Sequence, residues 1–358
     1  MQLNFLAPVG RTGYGICGSN LLAGLVQEGA EVALFPRDLP EVSPNLARTI
    51  WEAFGRQAFY NPSAPSVRLG QQLHLAEHVG HGLHCGFPIF ELDKFSPSEW
   101  HHLNCQDRLL VCSAWARQVL VQQGMAEQKI RLVRLGVDCS VFKPAQNSSP
   151  RQTSTTFLHV GKLEHRKAQD FLLKAFNLAF EATDDVKLHM HGPNPQVSSA
   201  EKAEWLQQIR TCKLANKINF SDQPFASQEE LAAWMSQFDC GVFPARAEGW
   251  NLELLEMMAL AKPVIATNYS GHTEFANASN CRLIHVAARE PAQDGKAFRG
   301  QGGWAVLGEE QLAQLIDHLR YIHALKQQGM LLPNEAGVTT AQRLSWRNSA
   351  RELLAAIC

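Results

Sequence analysis

The sequence alternates short apolar stretches with helical stretches, in two series separated by a polar break. The first series predicts strands at 3–7, 31–35, 109–112 and 130–135, with helices at 19–28 and 115–123. The second predicts strands at 156–160, 186–191, 240–243 and 264–267, with helices at 169–180, at 228–237 and from 251 onward. Short buried strands alternating with helices are typical of parallel sheets with helices on both faces. The sequence therefore predicts an α/β protein with two Rossmann-like, doubly wound domains that face each other across a cleft.

The polar break marks the predicted domain boundary. Segment 144–155 is rich in Pro, Gln, Ser and Thr and has no periodicity, which is typical of a linker. A chain of 358 residues is also longer than one hydrophobic core usually serves. We predict a first domain over 1–150, a second over 151–340, and a C-terminal helix over 341–358 that packs back on the first domain. The polar, glycine-rich residues 288–303 are expected to form a surface excursion.

Composition excludes several classes of protein. A formal net charge of −1 gives no polyelectrolyte signature, so we expect no nucleic-acid partner. Nine cysteines without CxxC pairs fit reduced thiols. There is no signal-peptide pattern, and no apolar run approaches the roughly 20 residues that span a bilayer. We expect a cytoplasmic protein without a transmembrane segment, with peripheral contact at a membrane left open.

The segment after the strand at 240–243 places two carboxylates at the edge of the second predicted sheet. Asn251 is a good N-cap for the helix that follows. This helix is apolar almost all round and should be buried, so Glu256, past its first turn, needs a partner. Glu253, in the first turn, complements the helix dipole. Glu256 is either solvated or salt-bridged, or it receives ligand hydroxyl groups beside a helix N-terminus that receives phosphate.

A basic turn follows the first strand of the second series. Residues 161–167 read Gly-Lys-Leu-Glu-His-Arg-Lys, with four groups that are or can become cationic. At the carboxyl end of a strand, such a cluster suits a polyphosphate. The alternative is a solvated basic turn.

A glycine loop opens the first predicted helix. Gly13-x-Gly15-x-x-Gly18 matches the dinucleotide fingerprint, and Asp38 lies about 20 residues further on. An NAD site is therefore a rival hypothesis. The pattern is weak by itself, because any ligand that approaches a strand–helix turn closely favours glycines there.

Three motifs together resemble those of the retaining glycosyltransferases of family 4 (glycosyl transferases group 1), which have the GT-B fold. They are the Glu248-x7-Glu256 pair, the segment 161–167, which is similar to G-R-L-x-x-x-K, and the segment 135–144, which is similar to N-G-V-D-x-x-x-F-x-P. The resemblance covers most of 107–275 and, more loosely, the first 35 residues. Lys162 stands where the family often has Arg. The lysine keeps the positive charge but cannot make the bidentate contact of an arginine.

The resemblance implies transfer of a sugar, with retention, from a nucleoside-diphosphate sugar to an acceptor hydroxyl. The donor would be a UDP- or GDP-sugar, the acceptor a glycan, a lipid or a small molecule, and no cofactor or metal would be needed. Lys162 and Lys167 would hold the pyrophosphate, Glu248 the donor sugar, and Glu256 the ribose. The other residues implied in the donor site are Gly13, Gly15, Gly161, Arg166, Gly249, Asn251 and Leu252, the last two through backbone N–H groups that cap the distal phosphate. Tyr14 and Glu91 are the acceptor-side candidates.

The first domain departs from the family in one respect. Many members have a histidine near the donor sugar, whereas here the histidines stand in no clear motif: His74, His78, His81 and His84. Metal ligation by this group is the alternative, although the intervening glycines break any single helical face. The segment Phe90-Glu-Leu-Asp93 resembles one found in a subgroup of these enzymes, which places Glu91 in the cleft. A helix-start carboxylate is the competing interpretation.

Four rival functions stay open at this stage. A sugar phosphorylase and a nucleotide-sugar epimerase would keep the fold but change the chemistry. An NAD-dependent oxidoreductase would use the glycine loop, but it leaves the basic turn and the two glutamates without a role. A non-catalytic sugar-binding module is the fourth, and the intact glutamate pair argues against it.

Overall fold

The first half of the chain forms a six-stranded parallel sheet. The computed structural model describes residues 1–145, 153–194 and 196–358. The strands, in the order β2-β1-β3-β4-β5-β6 across the sheet, are β1 (Gln2–Leu6), β2 (Glu31–Phe35), β3 (Ser66–Gly70), β4 (His84–Pro88), β5 (Arg108–Val111) and β6 (Ile130–Leu132). The helices between them are α1 (Gly13–Gln27), α2 (Ala47–Gly55), α3 (Pro97–Asn104) and α4 (Ala114–Gln122).

The second half repeats this plan. Its parallel sheet has the order β12-β11-β10-β7-β8-β9, with β7 (Thr155–Val160), β8 (Val186–His191), β9 (Ile218–Ser221), β10 (Cys240–Phe243), β11 (Val264–Thr267) and β12 (Arg282–Ile284). Its helices are α5 (Gln169–Ala179), α6 (Ser199–Arg210), α7 (Gln228–Met235), α8 (Leu252–Ala259), α9 (Glu309–Gln327) and α10 (Glu335–Arg343). The prediction of two doubly wound α/β domains is confirmed. The predicted linker at 144–155 and the boundary at 150 lie largely outside the described residues.

The last helix, α11 (Trp346–Ile357), returns to the first domain. It begins at its N-cap Ser345, whose side chain accepts from the backbone N–H of Asn348. It packs against α1 so closely that a Cβ on Gly24 would lie 2.6 Å from the carbonyl oxygen of Trp346. A parallel bridge between Val137 and Ser345 joins the end of the chain to the end of the first domain. In the described part of the chain, no helix combines the length and the apolarity needed to cross a membrane.

One local expectation is wrong. Helix α1 begins at Gly13, six residues before the predicted start, because Thr12 caps it and its glycines lie inside the first turns. A Cβ at Gly18 would lie only 2.0 Å from the carbonyl oxygen of Pro8, so this glycine serves close helix–loop packing. Residues 288–303 are mostly exposed, and the chain there forms a two-stranded antiparallel hairpin, β13 (Arg289–Gln293) and β14 (Arg299–Ala305), in which Trp304, just beyond the predicted segment, is 1 % exposed.

Candidate functional site in the interdomain cleft

The carboxyl ends of the two sheets face each other. The loop between β10 and α8 reaches the first domain at Gly249, where a Cβ would lie 2.5 Å from the Ile89 side chain just beyond β4. The thiol of Cys112, just beyond β5, donates to the carbonyl oxygen of Gly249 at 3.1 Å. Parallel α/β sheets bind ligands outside the carboxyl ends of their strands, so this junction is the candidate site.

Glu248 lies at the centre of a buried ionic cluster. Its Oε1 is 2.8 Å from Nζ of Lys167, and its Oε2 accepts from Nη1 of Arg166 at 2.9 Å. Arg166 also donates to Oε2 of Glu164 at 2.9 Å and to the carbonyl oxygen of Ala247 at 2.7 Å. Burial would raise the pKa of Glu248, but the charges of Lys167 and Arg166 outweigh burial and hold the pKa well below its usual range. The cluster therefore keeps Glu248 ionised and fixed in orientation.

Glu256 differs from Glu248 in having no partner. It is 4 % exposed, and among the described residues its carboxyl group makes neither an ion pair nor a hydrogen bond. Burial, followed by the nearby charge of Glu253, raises the pKa of Glu256 to about 8. Neither a solvated nor a salt-bridged glutamate fits these surroundings. A buried carboxyl group without a partner is costly unless something else donates to it.

The N-terminus of α8 lies beside these carboxylates. Asn251 has a left-handed backbone, with φ of 78°, and its side chain accepts from the N–H of Leu254 at 3.2 Å. The α8 dipole and its unbonded first-turn N–H groups, that of Leu252 included, favour an anion at this end. The structure therefore brings a helix end that favours anions next to a buried carboxyl group without a partner among the described residues.

The basic turn supplies two paired cations, Arg166 and Lys167, and one, Lys162, without an ion pair among the described residues. Lys167 is 3.7 Å from Glu253 in addition to its contact with Glu248. Lys162 is half-buried, and its ammonium group has no carboxylate within ion-pair distance in the described ranges. A Cβ on Gly161 would lie 3.2 Å from the Lys167 side chain, so this glycine leaves room for the lysine. Lys162 is consequently available to an anionic ligand without loss of an existing pair.

The glycine loop of the first domain faces this end of α8. Glu253 and Glu256 lie close enough to Cys17 on α1 to add to the burial that raises the pKa of its thiol. Arg11 donates to the carbonyl oxygen of Phe225 in the second domain at 3.4 Å. The Tyr14 hydroxyl donates to the carbonyl oxygen of Ile89 at 2.5 Å. The first turns of α1 thus form the opposite wall of the cleft.

The acceptor-side candidate Glu91 lies in the cleft. Its Oε1 is 3.8 Å from Nη2 of Arg166, the same guanidinium that holds Glu248. Burial raises the pKa of Glu91, although Arg166 opposes the shift. Glu91 does not start a helix, since α3 begins later, with Ser96 as its N-cap. The cleft interpretation therefore agrees with its position, and its role stays a prediction.

The features behind the NAD and metal alternatives have structural explanations. A Cβ at Gly15 would lie 2.6 Å from the backbone nitrogen of Gly10, so packing accounts for Gly15 and Gly18, although not for Gly13, and Asp38 is exposed. His78 stacks on His84 with ring centroids 4.2 Å apart, and it bonds Gln106 at 2.7 Å. Among the described residues, no group of three or more His, Cys, Asp or Glu side chains is placed to hold a metal ion.

Sequence reasoning missed three groups that surround Glu248. The Ser270 hydroxyl accepts from the backbone N–H of Glu248 at 2.7 Å. His272 and His159 are both buried, and each has one ring nitrogen without a partner among the described residues. Burial lowers the pKa of His159 to about 4, so its imidazole is neutral. The signal that could have found Ser270 and His272 is their place just after the carboxyl end of β11.

The fold and the cleft define the GT-B class of two-domain α/β proteins. Sucrose-phosphate synthase from Thermosynechococcus elongatus superposes with a TM-score of 0.70 at 18 % identity, over 99 % of this chain and 98 % of that one. Anabaena HepE in complex with UDP-glucose superposes with a TM-score of 0.69 at 18 % identity, over 99 % of both chains. At this identity the likeness establishes the fold, and the predicted GT-B fold is confirmed.

The sequence comparisons show similarity to glycosyltransferases, strongest in the second domain. Residues 154–297, which lie in the second domain, match the family model of the glycosyl transferases group 1. D-inositol 3-phosphate glycosyltransferase from Thermomonospora curvata is 30 % identical over 183 residues, which are 46 % of this chain and 42 % of that protein. Its counterpart from Mycobacterium bovis is 27 % identical over 262 residues, 70 % of this chain and 48 % of that protein. The matches thus span about half the length of these curated relatives.

Proposed function

We propose that this protein is a retaining glycosyltransferase that moves a sugar from a nucleoside-diphosphate sugar to an acceptor hydroxyl. The observation that carries the proposal is Glu256, a buried carboxyl without a protein partner beside the N-terminus of α8. A nucleoside diphosphate supplies what both features lack, since its ribose hydroxyls donate to a carboxylate and its phosphate accepts from helix N–H groups. The match of the second domain to the glycosyl transferases group 1 model and the similarity to glycosyltransferases support the same activity.

In the proposed reaction, the bond between the anomeric carbon and the β-phosphate oxygen breaks, and the acceptor oxygen bonds to that carbon on the same face. The leaving phosphate oxygen takes the acceptor's proton, and the nucleoside diphosphate departs. Lys162, Lys167 and the α8 N-terminus stabilise the negative charge that develops on the diphosphate. Because they supply this positive charge, we propose that the reaction needs no metal ion.

Glu248 positions the donor sugar in this proposal. A double displacement through Glu248 is disfavoured, because each of its carboxyl oxygens faces a cation, Lys167 on one side and Arg166 on the other. A carboxylate held in this way is a poor nucleophile but a rigid acceptor for sugar hydroxyl groups. The closed contact of Gly249 with the first domain would exclude water from the reacting centre.

A binding panel tests the proposal. Thermal unfolding is followed with UDP, GDP, ADP, UDP-glucose, a GDP-sugar, inorganic phosphate and NAD, each at about a hundredfold excess over a trial Kd. A bound ligand should then stabilise the fold by about 2.7 kcal/mol. UDP is the first choice, since the structural neighbour HepE has been crystallised with UDP and UDP-glucose. A response to NAD alone contradicts the proposal, and a response to phosphate without any nucleotide favours a sugar phosphorylase.

A further inference from the structure

The hairpin β13–β14 belongs to the second domain by sequence but packs into the first. Trp304 and Ala292, one from each strand, are buried in the apolar cluster that contains Phe90, Leu92 and Phe95. Phe298, near the hairpin's tip, packs against Trp304 with ring centroids 4.8 Å apart. The face of the hairpin that carries Trp304 is therefore covered by the first domain.

Three polar contacts fix the hairpin to the segment that carries Glu91. The indole N–H of Trp304 donates to the carbonyl oxygen of Glu91 at 3.1 Å. The backbone N–H of Gly303 donates to Oδ1 of Asp93 at 2.6 Å, and Nη1 of Arg289 lies 2.5 Å from Oδ2 of the same residue. Both oxygens of Asp93 are thus taken up by the hairpin.

The backbone of the hairpin lies so close to the backbone at Lys94 that position 302 requires a glycine. Gly302 has φ of 70°, and a Cβ there would lie 2.9 Å from the backbone nitrogen of Lys94. A side chain at this position would meet both backbone strain and a clash with backbone atoms. The hairpin is therefore built to contact residues 91–94 at close range.

The other side of the hairpin is anchored in the second domain. The backbone N–H of Ala305 donates to the carbonyl oxygen of Arg246 at 2.9 Å, and Nε of Arg246 is 3.5 Å from Glu290. The hydroxyl of Tyr269, just after β11, donates to the carbonyl oxygen of Gly303 at 3.1 Å. The hairpin consequently joins the two domains across one side of the cleft.

We propose that this hairpin is an interdomain strap and that Trp304 and Arg289 are positioning residues. They hold the backbone of residues 91–93, so that the Glu91 carboxyl stays opposite Arg166, the guanidinium that orients Glu248. Opening the cleft on this side requires the three contacts at Glu91 and Asp93 to break. The effect on turnover rests on the proposed function, whereas the strap itself does not.

Hydrogen exchange in the ligand-free protein tests the strap without any activity. Arg289→Gln removes the ion pair and should fold, since the Arg289 side chain is 60 % exposed, and Arg289→Lys retains the charge. Trp304→Phe keeps the ring and removes the N–H. The matched control is Trp100→Phe, because Trp100 packs on the same apolar cluster and its indole N–H donates to no other described residue.

The strap predicts faster exchange, by roughly tenfold for the loss of one charged contact, in peptides spanning 89–95 and 164–170. Arg289→Gln and Trp304→Phe should show it, and Arg289→Lys and Trp100→Phe should not. A merely structural role would loosen 89–95 alone, and unchanged exchange at 164–170 in both variants would overturn the proposal.

A kinetic experiment tests the positioning role. With a nucleotide sugar that the wild type turns over, Arg289→Gln and Trp304→Phe should lower kcat about tenfold and leave the Kd for UDP within about twofold. Arg289→Lys should restore kcat. A weaker UDP affinity with unchanged kcat would contradict the positioning role. A wild type that neither binds nor turns over any nucleotide sugar would overturn the proposed function, while the exchange result still decides the strap.

Discussion

The ammonium group of Lys167 lies 2.8 Å from the carboxylate of Glu248, and less than a tenth of either side chain is exposed. Two charges removed from water in this way are stable only as a pair, because each would pay a large desolvation cost alone. Arg166 reinforces the pair from the other carboxyl oxygen. The centre of the cleft is therefore an ionic cluster whose members depend on one another.

Replacing Glu248 with Gln should destabilise the protein by about 3 kcal/mol, because two buried cations lose their shared partner. Urea unfolding at pH 7 measures this. Glu309→Gln is the control, since Glu309 forms an ion pair with Lys174 but its side chain is 85 % exposed, and it should cost less than about 0.5 kcal/mol. Equal losses in the two variants would contradict the account of the cluster.

The same variant has a predicted pH dependence. The folded protein holds the pKa of Glu248 below its unfolded value, so its stabilisation is present above about pH 4.5 and is lost as the pH falls towards the folded pKa. The stability difference between wild type and Glu248→Gln should therefore shrink below about pH 4.5. Unfolding curves at pH 7, 5 and 3.5 test this, and a constant difference would argue against an ionised Glu248.

Glu256 should make stability depend on pH in the opposite direction from Glu248. Its pKa is raised to about 8 in the folded protein, so the folded state holds a proton that the unfolded state releases near pH 4.5. The stability of the ligand-free protein should then fall as the pH rises from about 5 to 8, and Glu256→Gln should remove that dependence. At pH 8 the variant should be the more stable by more than about 1 kcal/mol. Parallel pH profiles of the two proteins would mean that Glu256 is not desolvated.

Substitutions of Lys162 and of Lys167 should affect UDP binding and the stability of the ligand-free protein differently. Lys162→Ala should leave the ligand-free stability within about 0.5 kcal/mol, because the side chain makes no ion pair among the described residues. It should still weaken UDP binding by about tenfold through the lost phosphate contact. Lys162→Arg should bind UDP normally, and Lys167→Ala should lose stability as well as affinity. Isothermal titration and urea unfolding measure both effects, and a destabilised Lys162→Ala would show that the two lysines are equivalent.

Local signals in the sequence were sufficient for the strands β7, β8, β10 and β11 and the helices α5, α7 and α8 of the second domain, whereas β9, β12, α6, α9 and α10 were not predicted. Asn251 caps α8 as its side chain predicts, and the all-apolar pattern of that helix matches its burial. The contacts of Arg166 with Glu248 were beyond such reasoning, because the two residues are 82 positions apart and meet only through the order of the strands. The basic turn predicted a phosphate site. In the structure, Arg166 and Lys167 of this turn also hold the carboxylate of Glu248 in place.

The first domain also contains elements that the sequence did not predict. Strands β3 and β4 were missed because histidines and glycines surround them and no clean alternation marks them. The start of α1 was wrong because glycine has a low helix propensity, while close packing against Pro8 requires it. The burial of Trp304 at the end of the hairpin β13–β14 was not predicted, because its partner Glu91 lies more than 200 positions away in sequence.

The glycines of α1 give a matched pair of substitutions. Gly18→Ala should destabilise the fold by about 3 kcal/mol, because the new Cβ would lie 2.0 Å from a backbone oxygen. Gly13→Ala should be neutral or stabilising by up to about 1 kcal/mol, since nothing lies within 4 Å of its Cβ position. Thermal unfolding distinguishes the two variants. Equal melting temperatures would mean that the loop after β1 moves to accommodate the new Cβ with no loss of stability.

The most direct test of the proposed donor site is the titration of UDP and inorganic pyrophosphate into wild type and Glu256→Ala. If Glu256 receives the ribose hydroxyls, the variant should bind UDP about a hundredfold more weakly, which is about 2.7 kcal/mol for two lost hydrogen bonds. Its affinity for pyrophosphate should change less than about twofold, because the phosphate contacts come from Lys162, Lys167 and α8. Unchanged UDP affinity, or an equal loss for both ligands, would contradict the assignment of Glu256 as the nucleotide ribose ligand.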